Sequence, residues 1–185
     1  LDYVKKNQDK VSMAHAGIGA VSQLCSLLFM HQIGVKLTTV PYKGAGPAMN
    51  DLMGGQVDLL CDQTTQTVPV IQDGKRAKVF GVTTPQRLSS LPNVPTLDEQ
   101  GLKGFDVKVW HGMYAPKGTP KEVMDKLNKA LKAAIKDENV KKRIAELSSD
   151  LATPEKATPE SLQKHLTSEV ARWGKVIHDA GIVAE

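Results

Sequence analysis

The first half of the chain repeats one unit, a short apolar strand followed by a turn and a helix, and this order restricts the fold to the α/β class. Residues 11–15, 35–42, 57–61 and 78–83 are predicted as strands. Helical spacing of apolar side chains predicts a helix after each of the first two strands, and residues 67–72 form a third helix. Strands that alternate with helices predict a parallel or mostly parallel sheet with helices on both faces.

The second half of the chain is predicted to be mostly helical. Residues 106–114 are predicted as a crossing strand, and three amphipathic helices follow. A capping box at Thr119 and Glu122, with Pro120 as the first helical residue, opens the first of these helices. The third ends at Gly181. One strand is too small to cover three apolar helix faces, so we expect the helices to pack on the first sheet or on a sheet outside these residues.

Charge and composition exclude two broad classes of protein. The net charge is only +4 and aromatic residues make up 4% of the chain, which disfavours a nucleic-acid partner. No apolar stretch reaches the ~18 residues that a membrane-spanning helix needs. The chain opens on Leu1 and Asp2, with neither an initiator methionine nor a signal sequence, which we interpret as a chain cut from a longer protein.

The two cysteines, Cys25 and Cys61, stand far apart in the sequence and form neither a CxxC motif nor a zinc pattern. We favour two buried free thiols as the simpler interpretation. An oxidising compartment would permit a single disulfide, because Cys25 lies on a helix face and Cys61 ends a neighbouring strand.

Ligands of open α/β sheets bind beyond the carboxyl ends of the strands. Four loops are selected by this rule, at residues 14–22, 41–47, 61–66 and 83–87.

Two of these loops have anion-binding features. Gly17 and Gly19 let the backbone approach a ligand closely, and the following helix offers unpaired N–H groups and the positive end of its dipole. A plain tight turn is the alternative, since a lone Gly-x-Gly is a weak signal. Residues 43–47 bring a second helix start to the same edge, and two such loops make a better carboxylate pocket than either alone.

The third loop carries Asp62, which could neutralise a ligand ammonium or cap the next helix. A catalytic centre is not indicated, since the sequence has no Gly-x-Ser-x-Gly elbow, no His-Glu-x-x-His motif and no histidines at metal-ligand spacing. An enzyme would have to use Asp62 with His15 or His111. We therefore predict no enzymatic activity, no metal and no cofactor.

Five segments spread over the whole chain match motifs that recur together in one protein family. They are a glycine turn with its helix start, a Tyr-Lys-Gly loop, an Asp-Leu-Met-Gly-Gly helix end, a proline-rich loop and a Trp-His-Gly strand, at residues 17–24, 40–48, 51–58, 91–99 and 110–120. In these segments the chain resembles the tripartite tricarboxylate transporter receptor (TctC or Bug) family of extracytoplasmic solute-binding proteins.

The resemblance implies an α/β fold like that of periplasmic binding proteins, a type II Venus flytrap with the ligand between two lobes. Residues 1–107 then correspond to lobe two, and residues 108–185 to the crossover strand and C-terminal helical part of lobe one, whose N-terminal part is absent. The implied protein is a periplasmic monomer that passes a small carboxylate to a membrane permease or a signalling partner.

The resemblance also implies which residues bind the ligand. Ser22 and Gln23 depart from the family's commoner pattern, so side-chain contacts at these two positions are not carried over. Asp62 is implied as a discriminator between ligands. The carboxylate is held by backbone N–H groups at Ala16, Gly17, Ile18, Gly19 and Ala20.

We predict that the ligand is a small dicarboxylate, and in particular an acidic amino acid such as aspartate or glutamate rather than citrate. No arginine lies in either glycine loop, so a trianion would meet few full positive charges. Asp62 would repel a further carboxylate and attract an ammonium group. The alternatives are the effector-binding domain of a transcription regulator and, less favoured, an α/β enzyme that acts on a carboxylate.

Overall fold

The structure is a computed structural model that describes residues 1–71 and 76–179. These residues form two compact units, Leu1–Val109 and Trp110–Asp179. The first unit contains the sheet, and the second contains three helices. The assignment of residues 1–107 and 108–185 to two lobes stays a prediction.

The first unit is built on a three-stranded parallel sheet. Its order is β2-β1-β3, with β1 in the centre. Ser12 pairs with Thr38 on one side of β1, and Met13 pairs with Leu59 on the other. The strands are β1 (Ser12–His15), β2 (Thr38–Pro41) and β3 (Leu59–Leu60), and the helices are α1 (Asp2–Lys6), α2 (Val21–Ile33), α3 (Ala45–Met53) and α4 (Thr64–Ile71).

Both faces of this sheet are covered, as the sequence predicts. Consecutive side chains of a strand point to opposite faces, and Met13 and Ala14 of β1 belong to different apolar clusters. Met13 packs with Met30 of α2, while Ala14 packs with Ala48 of α3. The predicted parallel α/β architecture is therefore confirmed.

The fourth predicted strand, at 78–83, is not a strand of the described sheet. Among the described residues, Val82 forms only an isolated parallel bridge to Thr96 and does not join the sheet. Its N–H donates to the Pro95 carbonyl at 2.9 Å, and its carbonyl accepts from the Leu97 N–H at 2.9 Å. Because the proline-rich loop supplies these partners, the loop at 83–87 does not follow a strand of the described sheet.

The predicted crossing strand at 106–114 is wrong in the same way. The described residues of this segment adopt no regular strand. Its backbone is anchored instead at one end, where the Val107 N–H donates to the Thr83 carbonyl at 3.0 Å. The hydroxyl of Thr83 also donates to the Val107 carbonyl at 2.7 Å.

The first helix of the second unit begins differently from the prediction. The predicted capping box is absent, because the Thr119 hydroxyl donates to the Pro116 carbonyl at 2.8 Å and caps no helical N–H. Pro120 precedes the helix instead of opening it. Gly181, the predicted end of the last helix, lies outside the described residues. The helices are α5 (Lys121–Ala134), α6 (Glu138–Glu146) and α7 (Pro159–Asp179).

Gly81 occupies a position with no room for a side chain. A Cβ there would lie 2.6 Å from Gln100 Nε2, 2.8 Å from a Leu97 methyl and 3.2 Å from the Pro95 carbonyl oxygen. We expect Gly81→Ala to lower the free energy of unfolding by about 1–3 kcal/mol, because overpacking forces these neighbours apart.

Gly174 in α7 provides the matched control, since a Cβ there meets nothing within 4 Å. Gly174→Ala should raise stability by about 0.5–1 kcal/mol, the usual gain for alanine over glycine inside a helix. Urea unfolding followed by circular dichroism measures both variants. Equal stability of the two would contradict the packing argument.

Candidate functional site

The loops that follow the three strands meet at one edge of the sheet. The Tyr42 N–H donates to the His15 carbonyl at 2.9 Å, and the Gly44 N–H donates to the Ala16 carbonyl at 3.1 Å, so the loops after β1 and β2 stay side by side. Leu60, the last residue of β3, pairs in parallel with Ala14 of β1, so the loop that contains Asp62 leaves the sheet at the same edge. The first three loops selected from the sequence therefore share the carboxyl edge, which we call the candidate site.

The glycines of the first loop are required by its backbone. Gly17 has a φ of 124° and Gly19 a φ of 76°, conformations that residues with a Cβ rarely adopt. A Cβ on Gly17 would also lie 3.4 Å from the Tyr42 carbonyl oxygen. The positive φ angles therefore favour glycine at both positions, and at Gly17 the loop also lies against the segment that follows β2.

Two side chains of α2 fold back on this loop. The Ala16 N–H donates to Ser22 Oγ at 2.9 Å, and the Gly19 N–H donates to Gln23 Oε1 at 2.6 Å. Ser22 is itself held, since its carbonyl accepts from the Ser26 hydroxyl at 2.7 Å. Side-chain contacts at Ser22 and Gln23 were not predicted from the sequence, and in the structure both side chains hold the loop through these hydrogen bonds.

The remaining contacts of the loop come from His15 and Gly17. The His15 side chain is buried, and its Nδ1 lies 3.3 Å from the Gly17 nitrogen and 3.1 Å from the Gly17 oxygen. The Gly17 carbonyl also accepts from the Ala20 N–H at 3.2 Å. Three of the five N–H groups predicted to hold a carboxylate, those of Ala16, Gly19 and Ala20, thus already have acceptors within the loop and α2, and the Gly17 N–H has one in the His15 tautomer whose Nδ1 carries no proton.

The N–H groups that stay open lie partly outside the predicted set. Within the described residues, Ile18 of the loop and Val21 and Ser22 of α2 have no backbone or side-chain acceptor for their N–H groups. Sequence reasoning missed Val21 and Ser22, although the first turn of any helix leaves such donors free. The Ile18 side chain is 91% exposed, which leaves its backbone approachable.

The second helix starts within the predicted segment 43–47. Helix α3 begins at Ala45, and Pro47 is its third residue. Proline is tolerated there because N–H groups of the first turn have no intrahelical acceptor. The Tyr42 hydroxyl before this helix donates to Asp51 Oδ2 at 2.7 Å, and this hydrogen bond to a carboxylate raises the pKa of Tyr42.

Asp62 is the residue of the candidate site with an unsatisfied charge. Its Oδ1 accepts from the Gln63 N–H at 2.8 Å, while its Oδ2 is buried and has no hydrogen-bond partner. Burial raises the pKa of Asp62, and the hydrogen bond from Gln63 only partly opposes that shift. A capping side chain accepts from the second or third helical N–H. Asp62 accepts from Gln63, which precedes α4, so the alternative of a helix cap does not fit this geometry.

The raised pKa of Asp62 has a consequence for stability. A carboxyl whose pKa rises on folding contributes stability that is complete below its ordinary value of 3.8 and is lost as pH rises through the raised value. Asp62→Asn should therefore be more stable than the wild-type protein at pH 7 without ligand. This advantage should shrink as pH falls towards 4, as followed by urea unfolding at several pH values. A constant difference across that range would contradict the buried-charge interpretation.

The two cysteines are joined. Cys25 on α2 and Cys61 after β3 form a disulfide with Cα atoms 6.2 Å apart, inside the ~7 Å that bridging allows. Cys25 is 2% exposed. The favoured interpretation of two free thiols was wrong, because the helix face and the strand end lie against each other in the fold.

In residues 1–71 and 76–179, no hydrogen bond or ion pair joins His15 to Asp62. The same residues contain no group of three or more His, Cys, Asp or Glu side chains that could hold a metal ion. None of the described helices combines the length and the apolar character needed to cross a membrane.

The comparison with protein families decides the identity of the chain. The model described as the tripartite tricarboxylate transporter family receptor, TctC, matches residues 1–182. The chain belongs to this TctC family. The resemblance read from the sequence motifs is thus confirmed.

Curated relatives agree with this TctC assignment. A UPF0065 protein of the TAR-I ttuE-ttuC' intergenic region of Agrobacterium vitis is 48% identical, with 96% of this chain and 51% of the relative covered. Protein BugT of Bordetella pertussis is 29% identical, with 96% of the chain and 53% of BugT covered. The chain spans about half the length of these two curated relatives.

Solved structures show the same fold. The periplasmic binding protein BugD is 48% identical with a TM-score of 0.94, and the match covers 100% of this chain and 61% of BugD. MatC from Rhodopseudomonas palustris with bound malate is 38% identical with a TM-score of 0.89, covering 95% and 60%. R. palustris Rpa4515 with adipate is 30% identical with a TM-score of 0.91, covering 98% and 60%. The predicted periplasmic-binding-protein type of fold is therefore confirmed.

Proposed function

We propose that this chain forms a ligand-binding part of an extracytoplasmic receptor that captures a small dicarboxylate and releases it unchanged. The observation that carries the proposal is the composition of the candidate site. Open N–H groups at Ile18, Val21 and Ser22 lie at the same edge of the sheet as the buried, unpaired Oδ2 of Asp62. Neutral donors at a helix start suit a carboxylate, since the helix dipole adds to their hydrogen bonds.

The finer proposal is that the ligand is an acidic amino acid such as aspartate or glutamate. A buried carboxylate oxygen without a partner is costly, and a ligand ammonium would satisfy it. The solved relatives support the dicarboxylate class, since MatC holds malate and Rpa4515 holds adipate. Neither ligand carries an ammonium group, so Asp62 is the residue on which the amino-acid preference depends.

The role in the cell follows from the family. Support for a periplasmic receptor comes from BugD, which is described as a periplasmic binding protein, and from the family description as a transporter receptor. We propose that the protein acts as a monomer without cofactor and delivers its ligand to a membrane permease. The family match over residues 1–182 favours this role over a transcription regulator's effector domain.

Calorimetric titration of the protein, expressed from its complete gene, tests the proposal. Aspartate or glutamate should bind more tightly than succinate, and citrate should bind most weakly. Tight citrate binding would refute the amino-acid preference, while failure of all carboxylates to bind would refute the proposed function. Proton NMR of each ligand after incubation should show no turnover, and conversion of the ligand would restore the enzyme alternative.

Gln23 provides a separate prediction about the carboxylate end of the site. Its Oε1 accepts a hydrogen bond from the Gly19 N–H, which could otherwise donate to a ligand oxygen. Gln23→Ala should therefore tighten dicarboxylate binding by roughly 2- to 10-fold, the equivalent of one competing hydrogen bond of about 0.5–1.5 kcal/mol. Gln32→Ala, near the other end of α2, is the control and should leave Kd unchanged. Weaker binding by Gln23→Ala would show that the amide contacts the ligand instead of competing with it.

A further inference from the structure

We propose that the Cys25–Cys61 disulfide is a positioning cross-link, which fixes Asp62 relative to the start of α2 and thereby sets which carboxylate the receptor prefers. The inference rests on the proposed function of the candidate site. It assigns to the disulfide a role in ligand choice in addition to stability.

On the helix side, the cross-link holds the segment that presents the open N–H groups. Cys25 lies about one helical turn after Val21 and Ser22 and is almost fully buried. Ser22 Oγ also accepts from Ala16, so any shift or rotation of α2 moves the glycine loop with it. The position of Cys25 therefore determines the position of the whole carboxylate-binding end.

On the strand side, the cross-link holds the segment that follows a short strand. Strand β3 is only two residues long, Leu59–Leu60, and it lies at the edge of the sheet, paired to β1 alone. Cys61 follows it directly, and Asp62 comes next. Among the described residues, the Asp62 carboxylate accepts a hydrogen bond only from the neighbouring Gln63 N–H. The disulfide is thus the covalent restraint nearest to this carboxylate.

An acidic amino acid and a plain dicarboxylate depend on this restraint to different degrees. The amino acid must reach the N–H groups of α2 and the Asp62 oxygen together, so it requires a fixed separation between them. Succinate has no ammonium and uses only the N–H groups. Binding sites tolerate displacements of only about 0.5 Å before such contacts weaken. Loosening the link should therefore reduce aspartate binding more than succinate binding.

The experiment compares the oxidised protein, expressed from its complete gene, with the protein reduced by a phosphine, below the melting temperature of the reduced form. Alkylation and mass measurement confirm that no thiol is free before reduction and that two are free after it. We expect Kd for aspartate to rise about tenfold or more, as for loss of one charged hydrogen bond, and Kd for succinate to change much less. An unchanged ratio of the two Kd values would overturn the proposal.

A double variant and a chemically cross-linked form of the wild-type protein separate positioning from stability. The double variant Cys25→Ser with Cys61→Ser should behave like the reduced protein and should not respond to the phosphine. In the reduced wild-type protein, diiodomethane reacts with the thiols of Cys25 and Cys61 and inserts one methylene between the sulfurs, with release of two equivalents of hydrogen iodide. This longer link keeps the chain cross-linked, so a lower aspartate preference in this form identifies positioning. A full wild-type preference in the methylene-linked protein would show that the disulfide acts through stability alone.

Hydrogen exchange distinguishes failure of this inference from failure of the proposed function. Reduction should speed amide exchange in the glycine loop and first turn of α2, at residues 16–26, relative to α7. If the oxidised protein binds no carboxylate, the proposed function fails, and with it the effect on ligand choice, while exchange still reports whether the disulfide holds the site. Unchanged exchange at residues 16–26 would overturn the positioning role itself.

Discussion

Replacing Asp62 by asparagine is expected to weaken aspartate binding by about 3–5 kcal/mol, or roughly 10²- to 10⁴-fold in Kd. The wild-type carboxylate has one buried oxygen without a hydrogen-bond partner, at the edge of the sheet where α2 begins. A ligand ammonium placed there gains a charge pair, and the neutral amide of Asp62→Asn removes it at nearly the same volume. Isothermal titration with aspartate and with succinate measures the loss.

Succinate should respond in the opposite direction, because removing a negative charge beside an anion site relieves repulsion. Its affinity should therefore stay equal or improve in Asp62→Asn. This contrast between the two ligands excludes general damage to the fold. An Asp62→Asn variant that binds aspartate as tightly as the wild-type protein would contradict the assignment of Asp62.

Asp58 supplies the matched control, since it lies just before β3 while Asp62 lies just after it. Asp58 Oδ2 accepts from the Ser12 N–H and from the Ser12 hydroxyl, both at 2.8 Å, at the opposite edge of the sheet. Asp58→Asn should cost some stability and leave the Kd for aspartate unchanged. Equal losses of affinity in both variants would indicate that the net charge of the protein, and not the position of Asp62, governs binding.

The general location of the site could be predicted from sequence because it depends only on the order of parallel strands and helices, and not on the exact bounds of each strand. Parallel strands end at one edge of a sheet whatever their lengths, so the loops at Gly17, Tyr42 and Asp62 had to meet there. The predicted strand at residues 35–42 is much longer than the observed β2, yet the edge is the same. The glycines were also predictable, since positive φ angles leave few other residues.

Long-range partners limited the prediction of the fold. Residues 78–83 have the composition of a strand, but Val82 pairs with Thr96 in a loop that no local pattern connects to it. The Thr119 hydroxyl donates to the Pro116 carbonyl instead of capping α5. In both cases the residue types were typical of the predicted element, but the local sequence pattern did not reveal the hydrogen-bond partner that competes with it.

Which N–H groups of the glycine loop already have acceptors could not be predicted from the sequence, for the same reason. The number of N–H groups in the loop is readable from the sequence, but which of them remain open depends on where side chains turn. Ser22 and Gln23 could have pointed to solvent, and instead they take the N–H groups of Ala16 and Gly19. The donors that remain open are those of Ile18 in the loop and of Val21 and Ser22 in the first turn of α2.

Breaking the Cys25–Cys61 disulfide is expected to lower the free energy of unfolding by about 4 kcal/mol. The two residues are separated by 36 positions, and a cross-link that closes a loop of this length restricts the unfolded chain by about that amount. The sheet offers few hydrogen bonds to replace the lost cross-link, since β3 contributes only two residues and the segment after it is tied to α2 by this bond. Urea unfolding with and without a phosphine reductant, followed by circular dichroism, measures the difference.

The double variant Cys25→Ser with Cys61→Ser is the control for the reductant, and its unfolding midpoint should be low and identical under both conditions. The wild-type midpoint should fall to near that of the variant only when the phosphine is present. Alkylation of the unreduced, denatured wild-type protein should add no label, because both sulfurs are in the bond. Two labels in that sample, or a midpoint that ignores the reductant, would show that the thiols are free and that the original interpretation from sequence was right.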